Sequence, residues 1–128
     1  DDAPTLHGDS KRLQKALMNL VSNAVKFTPK GGEAVLSAGM GPEGLTIEVR
    51  DNGMGMMPGE AAKVIDLFSQ ADNSLSRRHD GVGLGLTYVR RVADHHDARL
   101  HISSVPGEGT RICMILPPSR IIQAREVA

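Results

Sequence analysis

Asn19, Asn23 and Lys26 recur at intervals of four and three residues, so on a helix turning about 100° per residue they fall within an arc of roughly 60°. Such a stripe can carry chemistry. The carbonyl oxygen of an asparagine suits a hard cation, and Mg²⁺ held by few protein ligands completes its shell with water and substrate phosphates. Lys26 would add a cation for those phosphates. The stripe is centred roughly 110° from the middle of the apolar stripe Leu13, Leu17, Leu20 and Ala24, so it borders the buried face of the helix. Groups placed there line a cleft, although two asparagines on a helix are also ordinary solvated residues.

Asp51-Asn52-Gly53-Met54-Gly55-Met56 supplies a second set, an acid followed by two glycines at the end of an apolar strand pattern. Glycines so placed suggest a backbone held close to something. A carboxylate accepts hydrogen bonds and cannot donate them, so it suits the exocyclic amine of adenine and repels the carbonyl that guanine presents there. The plainer alternative is a hairpin turn, for which Asp-Asn-Gly is a common triplet.

The third set is Gly81-Val82-Gly83-Leu84-Gly85-Leu86, which runs from a polar stretch into a helical pattern. Glycines before a helix N-terminus leave amide donors and the positive end of the dipole facing a phosphate. A dinucleotide-binding fold is a poor explanation, because its glycines should follow a strand near the start of a βαβ unit. Arg77 and Arg78, a few residues upstream, either reach toward a phosphate tail or form a solvated basic pair.

These residues need elements to position them. The spacing predicts a helix from Lys11, with Asp9 or Ser10 as N-cap and Pro29 beyond its end. Strands are predicted at Glu33 to Ala38 and Leu45 to Asp51, joined by a turn-rich hairpin connection. A shorter helix over Glu60 to Phe68, a long surface loop over Ser69 to Gly81 and a helix over Leu84 to His96 follow. Strands at Arg99 to Ser104 and Thr110 to Leu116 surround Pro106-Gly107-Glu108-Gly109, and Pro117-Pro118 closes the domain. Ser119 to Ala128 reads as a tail or a short helix. One α/β layer pair is the economical architecture.

Bulk properties bound the function. The chain has 128 residues, enough for one domain, with 40% hydrophobic residues and 15 basic against 15 acidic side chains. That balance suggests no electrostatic grip on nucleic acid or membrane. Aromatics are only 2% with no Trp, which argues against base-stacking platforms. The single cysteine, Cys113, forms no internal disulfide and fits a reducing compartment, so cytoplasm is the expected location. No run approaches the roughly 20 apolar residues of a membrane span. An inner-membrane anchor of a parent protein would lie outside this chain.

Taken in order, the segments resemble the histidine kinase branch of the ATPase superfamily that also includes gyrase, heat-shock chaperones and mismatch-repair ATPases. Asn19 to Thr28 resembles the N box, Asp51 to Met56 the first glycine box, Leu67-Phe68-Ser69-Gln70 the F box and Gly81 to Leu86 the second glycine box. Pro106 to Thr110 and Leu116-Pro117 resemble the closing hairpin. The resemblance implies an α+β fold: a two-layer α/β sandwich of the Bergerat type, with a mixed, mostly antiparallel sheet on three helices. This domain is expected over 1–118, with 119–128 as a C-terminal tail.

The resemblance further implies ATP and Mg²⁺ as cofactors, with ATP between the helices and a mobile lid of about Ser69 to Val82. Asn23 would coordinate Mg²⁺, Asp51 would read the adenine amine, and Gly53 and Gly55 would make room for the nucleotide. Lys26 with Arg77 or Arg78 would approach phosphate. Gly81, Gly83, Leu84, Gly85 and Leu86 would border the nucleotide, Gly83 and Gly85 through backbone amides. The implied partners are the histidine-bearing dimerisation domain of the parent kinase and a downstream response regulator, with no nucleic acid and no membrane contact by this domain.

Asn19 separates the branches. The hydrolase branches usually place Glu there, where a carboxylate activates water, whereas an amide is a poor base. Asn19 therefore favours transfer to an external nucleophile, and histidine imidazole is nucleophilic near neutral pH. None of His7, His79, His95, His96 and His101 sits in the family's H-E-x-x-x-P acceptor context, so the acceptor is expected on a separate domain. Three positions depart from the family pattern: Asp80 where Gly is frequent, Asp97-Ala98 in place of a Gly-Gly pair, and Ile65 where the F box often starts with Phe. Asp80 supports an alternative, a degenerate module that signals through protein contacts with weak or no ATP turnover. A hydrolase or serine kinase of the same superfamily is the third reading, disfavoured by Asn19 and the F box.

Overall fold

The computed structural model describes residues 5–69 and 84–122. In chain order the elements are β1 (Thr5–Leu6), α1 (Ser10–Phe27), β2 (Ala34–Gly41), β3 (Gly44–Asp51), α2 (Pro58–Ser69), α3 (Leu84–His95), β4 (Arg99–Val105), β5 (Gly109–Leu116), a 3₁₀ turn (Pro118–Arg120) and β6 (Ile121–Ile122).

Helix α1 starts where its cap lies. The Asp9 carboxylate accepts the Arg12 N–H at 3.1 Å, satisfying one of the first-turn donors that lack an intrahelical partner. That backbone hydrogen bond is the largest influence holding the Asp9 carboxyl below its ordinary range. Its contribution is present above the unfolded carboxylate pKa and is lost as pH falls through the folded one. At the other end the Thr28 hydroxyl donates to the Ala24 carbonyl at 2.6 Å, and Pro29 follows.

Leu13, Ala16, Leu20 and Ala24 of α1 are buried; Leu17, on the expected apolar stripe, is half-buried and packs against both hydrophobic clusters. They meet one face of a four-stranded sheet in the order β2-β3-β5-β4. Alternation sends Ile47 and Val49 of β3 and Ile112, Met114 and Leu116 of β5 toward the helices, and all five are buried. Leu67 and Phe68 of α2 and Leu86, Val89 and Val92 of α3 complete the core. Truncating its centre, Leu20→Ala, is expected to cost about 2–5 kcal/mol, read as a lower midpoint in denaturant titration. That is a large share of the roughly 5–15 kcal/mol that holds a domain folded.

The described residues form the expected α/β sandwich, three helices on a sheet. Among the described residues every strand pair is antiparallel, where a mixed sheet was expected. The β2–β3 connection is only Pro42-Glu43, tighter than the six-residue turn read from the sequence, and Gly44 takes a φ of +119° to close it. Helix α2 begins at Pro58, whose fixed φ and missing N–H suit a first helical position. Glu60 Oε1 then accepts the Met57 N–H at 3.3 Å.

One departure from the family pattern has a structural explanation. Asp97 ends α3 in a left-handed conformation, φ 57°, which Asp tolerates better than most residues. Its carboxylate meets Arg120 at 3.2 Å. His96 is fully buried, with Nδ1 2.8 Å from the Val92 carbonyl and Nε2 accepting the Asp9 N–H at 2.9 Å. Both ring nitrogens are thus used in the neutral tautomer protonated on Nδ1, a core role.

The 3₁₀ turn Pro118–Arg120 crosses the expected boundary between domain and tail, which lies after residue 118. Ile121 and Ile122 then pair with Leu6 and Thr5, and Ile121 packs with Leu6, Leu45 and Leu116. Residues 119–122 are therefore part of the folded unit, and 123–128 lie outside the described residues. Cys113 is buried on the outer face of the sheet, its thiol 3.7 Å from Glu48 Oε1. Burial pushes the thiol pKa up, so it stays protonated and inert. Among the described residues no helix is long and apolar enough to cross a membrane.

Candidate functional site

Asp51 ends β3 on the helix-facing side of the sheet and is only 8% exposed. A buried acid is costly unless it is satisfied. Its Oδ1 accepts the Gly53 N–H at 2.9 Å, which turns the chain sharply out of the strand. The rest of the carboxylate faces a cleft between α1 and the sheet. Asn23 and Phe27 line that cleft from α1, Met56 from the loop after β3, and Thr110 and Ile112 from β5. The walls are mainly apolar, with an acid, an amide and a hydroxyl among them, the composition of a small-molecule site.

The glycines after Asp51 fit the loop against neighbouring main chain. A Cβ on Gly53 would collide with the carbonyl oxygen of Phe27, and one on Gly55, φ +73°, with that of Val105. Gly107 N–H donates to the Met54 carbonyl at 2.7 Å. Met56 N–H donates to Ser104 Oγ at 2.8 Å, and Ser104 Oγ lies 2.9 Å from Thr110 Oγ1. Asn52 closes the other side, its Oδ1 accepting the Glu33 N–H at 2.7 Å. The room that Gly53 and Gly55 were expected to leave for a nucleotide is, at these two Cβ positions, taken up by protein backbone.

Helix α3 approaches α1 at Asn19, whose Nδ2 donates to the Gly85 carbonyl at 3.5 Å. A Cβ on Gly85 would crowd the Asn19 side chain, so glycine here permits close helix packing. Leu86, expected beside the nucleotide, has its side chain buried in the core; only its main chain is left to face a ligand. Leu84 opens α3. Arg77, Arg78, Gly81 and Gly83, the expected lid and Asp80 lie outside the described residues. Lys26 is exposed, its Nζ 5.8 Å from the Phe27 ring centroid, and it is not among the residues lining the cleft. The described residues therefore bring Asn23 and Asp51 together, with Asn19 held by α3 one turn before Asn23.

Sequence reasoning missed Thr110 and Ser104. Thr110 enters because β5 pairs with β3 in the register Asp51↔Thr110, which no local spacing discloses. Met56 lines the cleft, while Met54 and Met57 are exposed.

The donor set suits a cation that arrives with its own ligands. Among the described residues no group of three His, Cys, Asp or Glu side chains is placed to hold a metal. Asn23 offers one hard oxygen in the cleft, which fits Mg²⁺ completed by water and phosphate oxygens.

Residues 8–120 match the family described as histidine kinase-, DNA gyrase B- and HSP90-like ATPase. The phosphate regulon sensor protein PhoR of Pseudomonas aeruginosa is 37% identical over 130 aligned residues, covering 100% of this chain and 29% of that protein. Among solved structures, the mycobacterial sensor histidine kinase MprB matches with a TM-score of 0.69 and 30% identity, over 91% of this chain and 78% of that one. Full-length ShkA in complex with AMPPNP matches with a TM-score of 0.72 and 30% identity, over 97% of this chain and 24% of that one.

Proposed function

The chain belongs to the histidine kinase-, DNA gyrase B- and HSP90-like ATPase family as the catalytic domain of a sensor histidine kinase, and we propose that it binds Mg²⁺·ATP in the cleft between α1 and the sheet and transfers the γ-phosphoryl group to a histidine on a separate dimerisation domain. The chain spans 29% of PhoR, so the acceptor domain and a downstream response regulator are partners of the whole kinase. The cytoplasm, where ATP is plentiful, is the proposed location.

The observation that carries this reading is the meeting of Asn23 and Asp51 in one apolar-walled cleft. Asp51 accepts from the adenine amine while its Oδ1 stays committed to Gly53. Thr110 places a hydroxyl beside it. Asn23 would offer its amide oxygen to a phosphate-bound cation, and Mg²⁺ when bound supplies charge neutralisation between phosphate oxygens. Asn19, tied to the first turn of α3, presents an amide where a water-activating base would otherwise stand. With no carboxylate there, the domain mainly positions the nucleotide, which phosphoryl transfer chiefly requires.

Two measurements test the proposal. In calorimetric titration with a non-hydrolysable ATP analogue, Mg²⁺ should strengthen binding to the wild type, and that dependence should disappear in Asn23→Ala. With γ-labelled ATP, the chain alone should acquire no stable label, and an added acceptor domain should acquire acid-labile phosphate. Acid-labile label on the isolated chain, or rapid release of free phosphate, would overturn the assignment of roles.

A further inference from the structure

Strand β2 is an edge strand with none of the features that usually guard one. Among the described residues it pairs only with β3, so the backbone N–H and C=O groups along its far side have no strand beside them. Natural edges are commonly blunted by a charged side chain, a proline, a bulge or a short run. β2 has eight residues, none charged and none proline, and its register with β3 runs unbroken from Ala34↔Asp51 to Gly41↔Gly44. The opposite edge is protected. β4 carries Arg99 and His101, and its Leu100 and Ile102 pack against the core.

The helix-facing row of β2 is Ala34, Leu36, Ala38 and Met40, the last three set beside buried Val49, Ile47 and Leu45 of β3. All four are exposed, Leu36 and Met40 by more than half. Helix α1 lies over β3 and β2 and meets α3 through Asn19. Helical spacing turns Met18, Val21 and Val25 roughly 100° to 160° away from Asn19, so they flank the free edge. Met18 and Val25 are again more than half exposed. An uncharged trough therefore runs between the flank of α1 and the rim of the sheet. Exposed Met54, Met57 and Val105 sit instead at the β3–α2 loop and the end of β4, where no uncharged edge accompanies them.

We infer that β2 is a self-association edge: two copies of this chain pair β2 against β2, antiparallel, and join their sheets across a twofold axis. The free groups of a strand edge pair with another extended chain, and β2 is such a chain, already formed. A twofold axis brings identical patches together, so charges there would repel; the strand and the trough have none. The symmetry also requires helix-facing residues to meet helix-facing residues. With Ser37 on the axis, Leu36 falls opposite Ala38 of the second copy and Ala34 opposite its Met40, large against small, and Glu33 is not set against Glu43. Neighbouring strands are about 4.8 Å apart, so two α1 helices that each lie over β2 and β3 come to roughly 10 Å, a distance at which helices pack. Met18 and Val25 of both copies then close over the seam. The pairing involves neither the cleft nor its nucleotide.

Sedimentation of the chain from micromolar to millimolar concentration tests this. A monomer–dimer equilibrium is expected, with amides of residues 34–41 gaining protection from hydrogen exchange as the dimer fills. Leu36→Lys, which puts a charge into the seam, should weaken the dimer by about tenfold or more, while the dilute protein keeps its thermal midpoint and its affinity for the ATP analogue. Ser37→Cys should cross-link to its own copy on mild oxidation, whereas Thr46→Cys, one strand in from the edge, would lie too far from its copy to bridge. Cys113 is buried and does not compete. A chain that stays monomeric throughout leaves this edge to a strand of some other protein and overturns the inference. A dimer indifferent to Leu36→Lys, or one that Thr46→Cys traps as well as Ser37→Cys, overturns it equally.

Discussion

Asp51→Asn is expected to weaken binding of a non-hydrolysable ATP analogue roughly tenfold to a hundredfold with little change in thermal stability, as read by calorimetry and a melting curve. The magnitude follows from losing a charge-assisted hydrogen bond, worth about 1.5–3 kcal/mol. The specificity of the effect follows from the geometry. Asp51 Oδ1 accepts the Gly53 N–H, and an asparagine Oδ1 can do the same, so the turn out of β3 survives. What changes is the other half of the group, from an acceptor oxygen to an NH₂ that meets the adenine amine donor to donor. Tolerance of guanine nucleotides should rise relative to wild type, because the carbonyl at that position now finds a donor. Unchanged affinity in a folded Asp51→Asn variant would remove Asp51 from the adenine-reading role.

Much of this site was legible in the residues because its parts are local. The polar stripe Asn19, Asn23, Lys26 is a matter of helical spacing, and α1 forms over Ser10–Phe27 close to where its cap and apolar stripe place it. Asp51 at a strand end is likewise a local feature. The cleft itself is not local. Its far wall depends on the pairing of β5 with β3, which brings Thr110 opposite Asp51 across a stretch of chain whose described residues hold two helices and a strand. The roles of the glycines were hidden for the same reason. That a side chain at Gly85 would crowd Asn19, and one at Gly55 the Val105 carbonyl, is visible only in the fold. Helix packing and sheet register, the long-range terms, set both contacts.

The same long-range contacts make Gly53 the position where fold and function are least separable. Gly53→Ala is expected to lower the thermal midpoint and weaken nucleotide binding together. The added methyl has nowhere to go. It would overlap the Phe27 carbonyl oxygen, main chain at the last residue of α1, and would also crowd Asp51 Oδ1. A flexible side chain can step aside, whereas a helix terminus moves only with the helix. Introducing a methyl into such a contact typically costs about 1–3 kcal/mol, and relief requires the Gly53–Met57 loop to lift away from α1. That loop is stitched to the β4–β5 hairpin through Gly107 to Met54 and Met56 to Ser104, so lifting it also disturbs the Ser104–Thr110 hydroxyl pair and turns the Asp51 carboxylate. Asp51→Asn should therefore separate binding from stability, and Gly53→Ala should couple them. A Gly53→Ala variant with wild-type melting and wild-type affinity would show that the loop does not rest on α1.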